Sequence, residues 1–133
     1  MTITQVSQAY GISQETLRYY ERVGAIPPVT RTQGGTRDYQ QADLGWVELA
    51  VCMRGAGLPI EVLVEYKRLY LQGDETIPAR LELLENQMEA LKKQEAQLKE
   101  TMARLSYKIG RYRDAVKTGK LTWNEQDTKK MEE

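Results

Sequence analysis

Two pairs of arginines are the residues of this chain whose type and spacing could do chemistry. Arg18 and Arg22 stand four apart, which on a helix puts two guanidinium forks on one face. Such forks match phosphate oxygens or the O6/N7 edge of guanine. Thr16 and Tyr19 share the outward side with them and complete a groove-compatible set. Arg31 and Arg37 flank Gln33-Gly34-Gly35, a glycine turn between two short polar runs that reads as a β-hairpin. With Tyr39 at its exit, a ribbon this polar suits a wing laid along a DNA backbone, where contacts set position rather than sequence. The alternative for the helix is a solvated face on which the arginines pair with Glu15 and Glu21.

Other chemistry is thin. The chain has no histidine, which removes Ser-His-Asp and Cys-His nucleophile systems, imidazole bases and histidine-containing metal sites. Gly34-Gly35 and Gly55-Ala56-Gly57 open no phosphate-cradling G-x-G-x-x-G helix. No catalytic residue, metal site or cofactor is expected, and the chain does not read as an enzyme. The single cysteine, Cys52, cannot form an intramolecular disulfide or zinc ribbon and fits a reducing cytoplasm. It lies in a helix expected over Ala42 to Ala56, whose apolar residues are spread almost all round, so the helix should be largely buried. There Cys52 is either a small hydrophobe or a reactive thiol. Arg54, Lys67 and Arg68 are its candidate positive neighbours.

The elements that must position these residues are legible in the punctuation. Thr2 with Gln5 makes a capping box for a first short helix, whose apolar face is Ile3, Val6, Ala9 and Tyr10. Gly11-Ile12 breaks it, and Ser13 caps a second helix from Gln14 to about Val23 that stops at Gly24. The pair forms a helix-turn-helix in which Leu17 and Tyr20 point inward with Ile12. The protein carries 19 basic and 19 acidic side chains; residues 1–75 hold 7 and 9 of them, residues 76–133 hold 12 and 10. Any nucleic-acid footprint must therefore be local.

Beyond Gln72 to Thr76 the pattern changes to one long helix, with Thr76 as its N-cap and Pro78 in its first turn. Ile77, Leu81, Leu84, Met88, Leu91, Glu95, Leu98, Met102, Leu105, Ile109, Tyr112 and Val116 follow at alternating spacings of four and three. That is a coiled-coil seam, interrupted by Glu95, and it calls for a second copy of the chain. Gly110 is its weak point. The expected division is a DNA-binding head over 1–72, a dimerisation helix over 76–117 and a short tail over 118–133, pinned by Trp123 if by anything. No apolar run is long enough to cross a membrane, and MTITQVSQAY is no signal peptide, so a soluble cytoplasmic protein is expected.

The string Leu17-Arg18-Tyr19-Tyr20-Glu21-Arg22-Val23-Gly24, then Gly35-Thr36-Arg37-Asp38-Tyr39 and Asp43-Leu44, resembles the MerR family of bacterial transcriptional regulators. Arg54, Gly57, Leu58 and Ile60-Glu61 resemble its next conserved stretch. The resemblance implies a mainly α fold: a winged helix-turn-helix head with a short β-hairpin wing, a second small wing near Gly55 to Glu61, and a long helix pairing antiparallel with its mate. It implies Arg18, Tyr19 and Arg22 as recognition-helix contacts with Thr16 beside them, and Arg37 and Tyr39 as wing contacts. It further implies a homodimer on a pseudo-palindromic operator in double-stranded DNA. There it bends and undertwists an overlong promoter spacer so that RNA polymerase can engage. A lone Cys52 resembles the thiol-sensing NmlR and AdhR type, associated with electrophiles, aldehydes and redox stress. Two other readings stand beside this one: the same regulator with a structural Cys52 and a small apolar effector, and a coiled-coil interaction protein without DNA binding.

Overall fold

In the computed structural model, residues 1–123 are described. They form five α-helices: α1 Ile3–Tyr10, α2 Gln14–Val23, α3 Gln41–Gly55, α4 Ile60–Gln72 and α5 Ile77–Thr118, with a 3-10 turn Asp74–Thr76 before α5. The chain divides into two compact units, Met1–Gln87 and Met88–Glu133. Met131 and the other residues of the expected tail beyond Trp123 lie outside the described residues.

Within the first unit, α1 opens on the expected capping box. Gln5 N–H donates to Thr2 Oγ1 at 3.2 Å and Thr2 N–H donates to Gln5 Oε1 at 2.9 Å, satisfying two helix-end donors reciprocally. Gly11 ends α1 at φ 67° and Gly24 ends α2 at φ 81°, a backbone region where a side chain would strain. These two stops fix the helix-turn-helix. Val6, Leu17, Tyr20, Ile26, Val47, Leu63 and Leu69 are among the buried residues that close the core over α1 to α4.

The expected hairpin is reduced. Arg31 and Arg37 make one antiparallel bridge, flanked by Thr32 N–H donating to Thr36 O at 2.8 Å and Asp38 N–H donating to Thr30 O at 2.7 Å, but no strand forms among the described residues. The reason is compositional: residues 30–36 are exposed and polar, so the ribbon has no apolar face with which to extend pairing. It is anchored at its ends instead, by buried Val29 and Tyr39 and by Tyr39 N–H donating to Met1 O at 2.7 Å. The second wing expected near Gly55 to Glu61 is a turn of residues 56–59 between α3 and α4, closed by Arg54 Nη1 donating to Leu58 O at 2.7 Å.

The expected all-round burial of α3 is also corrected. Only Val47, Ala50 and Met53 are buried on it, a stripe with helical spacing, and Cys52 lies off that stripe and is exposed. At the α4–α5 joint Thr76 is buried, its hydroxyl 2.6 Å from Leu69 O and 2.8 Å from Gly73 O. It accepts from Arg80 Nε at 3.0 Å. Thr76, directly before α5, thus fastens the joint through its proton and a guanidinium.

No residue of α5 is buried. Along its seam Leu81 is 57%, Met88 54%, Leu98 61%, Met102 59% and Leu105 56% exposed, and Leu91 is half-buried. Glu95 lies 3.6 Å from Lys99 Nζ. In the second unit α5 runs through Gly110 and ends at Thr118. Trp123 then folds back on the helix, its ring 6.3 Å from those of Tyr107 and Tyr112. Arg111 Nε donates to Thr122 O at 3.0 Å.

Candidate nucleic-acid interface

Ser13 caps α2, its hydroxyl accepting from Thr16 N–H at 3.1 Å. From that start the helix turns Leu17 and Tyr20 into the core and leaves Arg18, Tyr19 and Arg22 exposed, with Thr16 half-buried. The Arg22 guanidinium lies over the Tyr19 ring, 5.4 Å from its centroid, so a cation–π contact holds the fork outward. Arg18 Nη2 donates to Gln14 Oε1 at 3.4 Å, and Gln14 Nε2 donates to Thr4 Oγ1 at 3.1 Å, which ties the helix to α1. Ser13, Glu15, Thr16, Tyr19 and Arg22 line one open hollow. Neither Arg18 nor Arg22 takes part in an ion pair among the described residues. The pairing with Glu15 and Glu21 considered from the sequence is therefore absent from this face.

Glu21 points the other way. Its Oε1 accepts from Arg37 Nε at 2.9 Å and its Oε2 accepts from Val29 N–H at 3.2 Å; Arg31 Nη2 stands 3.8 Å from Oε2. Arg31 Nη1 also donates to Gly35 O at 2.8 Å, closing the turn. The structure thus brings Arg31 and Arg37 together across their bridge and joins both to α2 through one carboxylate. Sequence reading missed Glu21 because its partners lie 8, 10 and 16 residues away; its only local signal was its place in the Arg18–Arg22 segment.

Tyr39 does not share the exposed face. It is 2% exposed, and its hydroxyl has no hydrogen-bond partner among the described residues. Burial pushes the phenol pKa above its ordinary 10.0; Glu21 and Asp43 add to the shift while Arg37 and Arg18 oppose it. A ring this buried packs against the core and anchors the exit of the turn that carries Arg31 and Arg37. Tyr20 is likewise raised by burial, with Arg54 opposing.

The profile described as MerR HTH family regulatory protein matches residues 1–69, which spans all of α1 to α3 and most of α4. The chain belongs to the MerR family. As a MerR regulator it is a DNA-binding transcriptional regulator, and its relatives are transcriptional regulators, not enzymes. AdhR, an HTH-type transcriptional regulator of Bacillus subtilis (strain 168), is 50% identical over 91 residues. That alignment spans 68% of this chain and 65% of AdhR. A MerR family transcriptional regulator from Listeria monocytogenes is 39% identical, with a TM-score of 0.83 over 90% of each chain. HiNmlR, a MerR family regulator lacking the sensor domain whose crystal structure was solved bound to promoter DNA, is 34% identical with a TM-score of 0.83. That match covers 90% of this chain and 95% of HiNmlR. Together they place the chain with the NmlR/AdhR-type subgroup.

The remaining sequence candidate in this MerR chain is Cys52, exposed on α3. Two of its expected positive neighbours have other hydrogen-bond partners. Arg54 bonds Leu58 O, and Arg68 bonds both carboxylate oxygens of Glu65, at 2.9 and 2.6 Å. Lys67 Nζ stands 3.1 Å from where a Cβ on Gly24 would lie, at the C-terminal end of α2. Among the described residues, no helix is long and apolar enough to cross a membrane, and no group of three or more His, Cys, Asp or Glu is placed to hold a metal ion.

Proposed function

We propose that the protein is a cytoplasmic, homodimeric activator that reads a pseudo-palindromic operator through α2 and grips its backbone through the wing. The observation that carries this is the outward pair of Arg18 and Arg22, exposed and without an ion-pair partner among the described residues. Thr16 and Tyr19 stand beside them as base-edge or sugar contacts, and Arg31 and Arg37 supply phosphate contacts. A solved relative, HiNmlR, was crystallised on promoter DNA, which supports DNA as the partner. In this reading residues 1–72 form the DNA-binding domain, 76–117 the dimerisation helix and 118–133 a tail.

Dimerisation runs through the seam of Leu81, Leu84, Met88, Leu91, Leu98, Met102 and Leu105, whose apolar surface is unmatched in one chain. Charge supports antiparallel pairing. The first half of α5, 77–97, holds 3 basic and 4 acidic residues, and the second half, 98–118, holds 6 and 2, so antiparallel helices set unlike halves together. With the twofold between Ala96 and Gln97, Leu81 meets the partner's Tyr112, Met88 the partner's Leu105, and Leu91 the partner's Met102. Every seam position then faces another, and Glu95 faces the partner's Leu98. Two linked heads can bend and undertwist an overlong promoter spacer so that RNA polymerase engages both elements, work done through backbone clamps on both half-sites.

The signal is an electrophile, aldehyde or redox stress acting at Cys52. Exposure of the thiol supports this, because a modifying reagent can reach it. In vitro transcription from the protein's own upstream promoter, with and without formaldehyde or methylglyoxal, tests it against Cys52→Ser. Wild type alone should switch on; equal responses would show that Cys52 is not the sensor. A second reading makes the effector a small apolar molecule. It is favoured by the aromatic group in which Trp46 stands 5.1 Å from Tyr70 and 5.9 Å from Tyr66, and under it Cys52→Ser keeps its response.

A further inference from the structure

We infer that Glu21 is a positioning residue for DNA recognition, holding the wing's two arginines in register with the recognition helix. The inference rests on the DNA-binding reading and adds to it a residue that touches no DNA. Its ground is an electrostatic problem in the wing. The single bridge sets Arg31 directly opposite Arg37, and like charges facing across a ladder repel. No strand or apolar contact within the ribbon offsets that repulsion, since residues 30–36 are exposed.

Glu21 supplies what the ribbon lacks. Its side chain is 13% exposed, against 22% for Arg37 and 43% for Arg31, so the carboxylate works in a partly dehydrated place where charge-assisted bonds are strong. One oxygen takes Arg37 Nε at 2.9 Å; the other takes Val29 N–H at 3.2 Å and stands 3.8 Å from Arg31 Nη2. Because Arg37 commits its Nε inward, its two terminal nitrogens remain for phosphate, aimed by the pinned end. Because Glu21 sits between Arg18 and Arg22 in sequence, the same helix that presents the base-reading forks sets the wing's phosphate forks. Helix and wing therefore meet the duplex in one fixed relation, and specific binding needs that relation while non-specific binding does not.

The test compares binding to the protein's own upstream promoter duplex and to a scrambled duplex of equal length, by fluorescence anisotropy over a salt series. Glu21→Gln removes a negative charge near DNA but keeps the side chain's size and an acceptor for Val29. Affinity for scrambled duplex should hold or rise, affinity for promoter should fall about tenfold, and the ratio of the two should drop at least that far. An unchanged ratio, with both affinities rising together, would overturn the inference and leave Glu21 a mere charge. Both affinities falling together with the melting temperature would assign it to stability alone, and overturn it equally. Arg37→Lys gives an independent arm: its compact ammonium lacks the planar fork that holds Glu21 through Nε while aiming two further nitrogens at phosphate, so it should cost promoter affinity in wild type and little more in the Glu21→Gln background. Full additivity would sink the coupling. If wild type itself shows no preference for its promoter, the DNA-binding reading fails first, visibly apart from any effect of Glu21.

Discussion

Introducing a charge of either sign in the middle of the α5 seam tests the dimer and its register together. If Glu95 faces the partner's Leu98, then Leu98→Glu puts carboxylates against carboxylates on both sides of the twofold, whereas Leu98→Lys offers each Glu95 a cation. The apolar loss is common to both. Leu98 is 61% exposed in one chain, and fully burying a leucine is worth about 1.5–3 kcal/mol, so dimerisation gains about 1–2 kcal/mol per side chain and about 2–4 kcal/mol for the pair. That alone weakens the dimer about 30- to 700-fold. The charges separate the variants by about 0.5–1 kcal/mol for each contact in each direction, or about 2–4 kcal/mol over two contacts. Lys99, 3.6 Å from Glu95, shields part of that field and favours the lower end. Sedimentation velocity across a concentration series reads both dissociation constants. Leu98→Glu should be the weaker dimer, and the gap should close in high salt. Equal weakening of both variants would refute the register, and intact dimers in both would refute the seam.

Further expectations concern the head. Arg18→Ala should lower promoter affinity by about 1–3 kcal/mol if the fork reads a base, whereas a phosphate contact would lower the salt slope by about 1 and weaken all sequences alike; no change in either would refute the placement of α2. Tyr39→Phe removes a buried hydroxyl that has no partner among the described residues, so thermal unfolding should show a gain of up to about 1 kcal/mol with promoter affinity unchanged; lost affinity would return Tyr39 to the interface. The raised phenols of Tyr20 and Tyr39 make stability fully present below pH about 10 and lost as pH climbs above it, since the unfolded chain gives up those protons first. Tyr39→Phe should lessen that alkaline loss in melts taken on either side of pH 10.

Local signals carried most of the architecture. Thr2 with Gln5, Ser13, Gly11 and Gly24 mark helix ends by chemistry contained within four residues, and the bounds of α2 read from them, Gln14 to Val23, are those observed. The period of the seam is equally local, repeated along α5. What the sequence hid depends on contacts far along the chain. Tyr39 follows the wing motif, and the burial of its ring in the core is a matter of tertiary packing that no local signal shows. Glu21 looked like a partner for its neighbours Arg18 and Arg22, and the fold gives it to Arg37 instead. Cys52 sat in a helix too apolar to rank its faces, and only the packing of Val47, Ala50 and Met53 shows which side faces out.

The balance of charge in the head explains why the dimer matters for binding as well as for shape. Residues 1–75 carry more acid than base, so long-range attraction to DNA is weak and affinity must come from contacts. Several carboxylates near the wing and the start of α3 are already engaged. Asp43 accepts from Gln40 N–H at 2.8 Å and Thr30 N–H at 3.4 Å, Asp38 accepts from Gln40 Nε2 at 2.9 Å, and Glu21 holds Arg37. The cations that remain facing outward from α2 are Arg18 and Arg22, a small footprint. One such footprint binds weakly at physiological salt, whereas two joined through α5 gain by effective concentration. Leu98→Glu, which touches no DNA contact, should therefore lose promoter affinity in step with dimerisation and recover it as protein concentration rises. Promoter affinity independent of the dimer equilibrium would show that a single head suffices, and would break the link drawn between the seam and the operator.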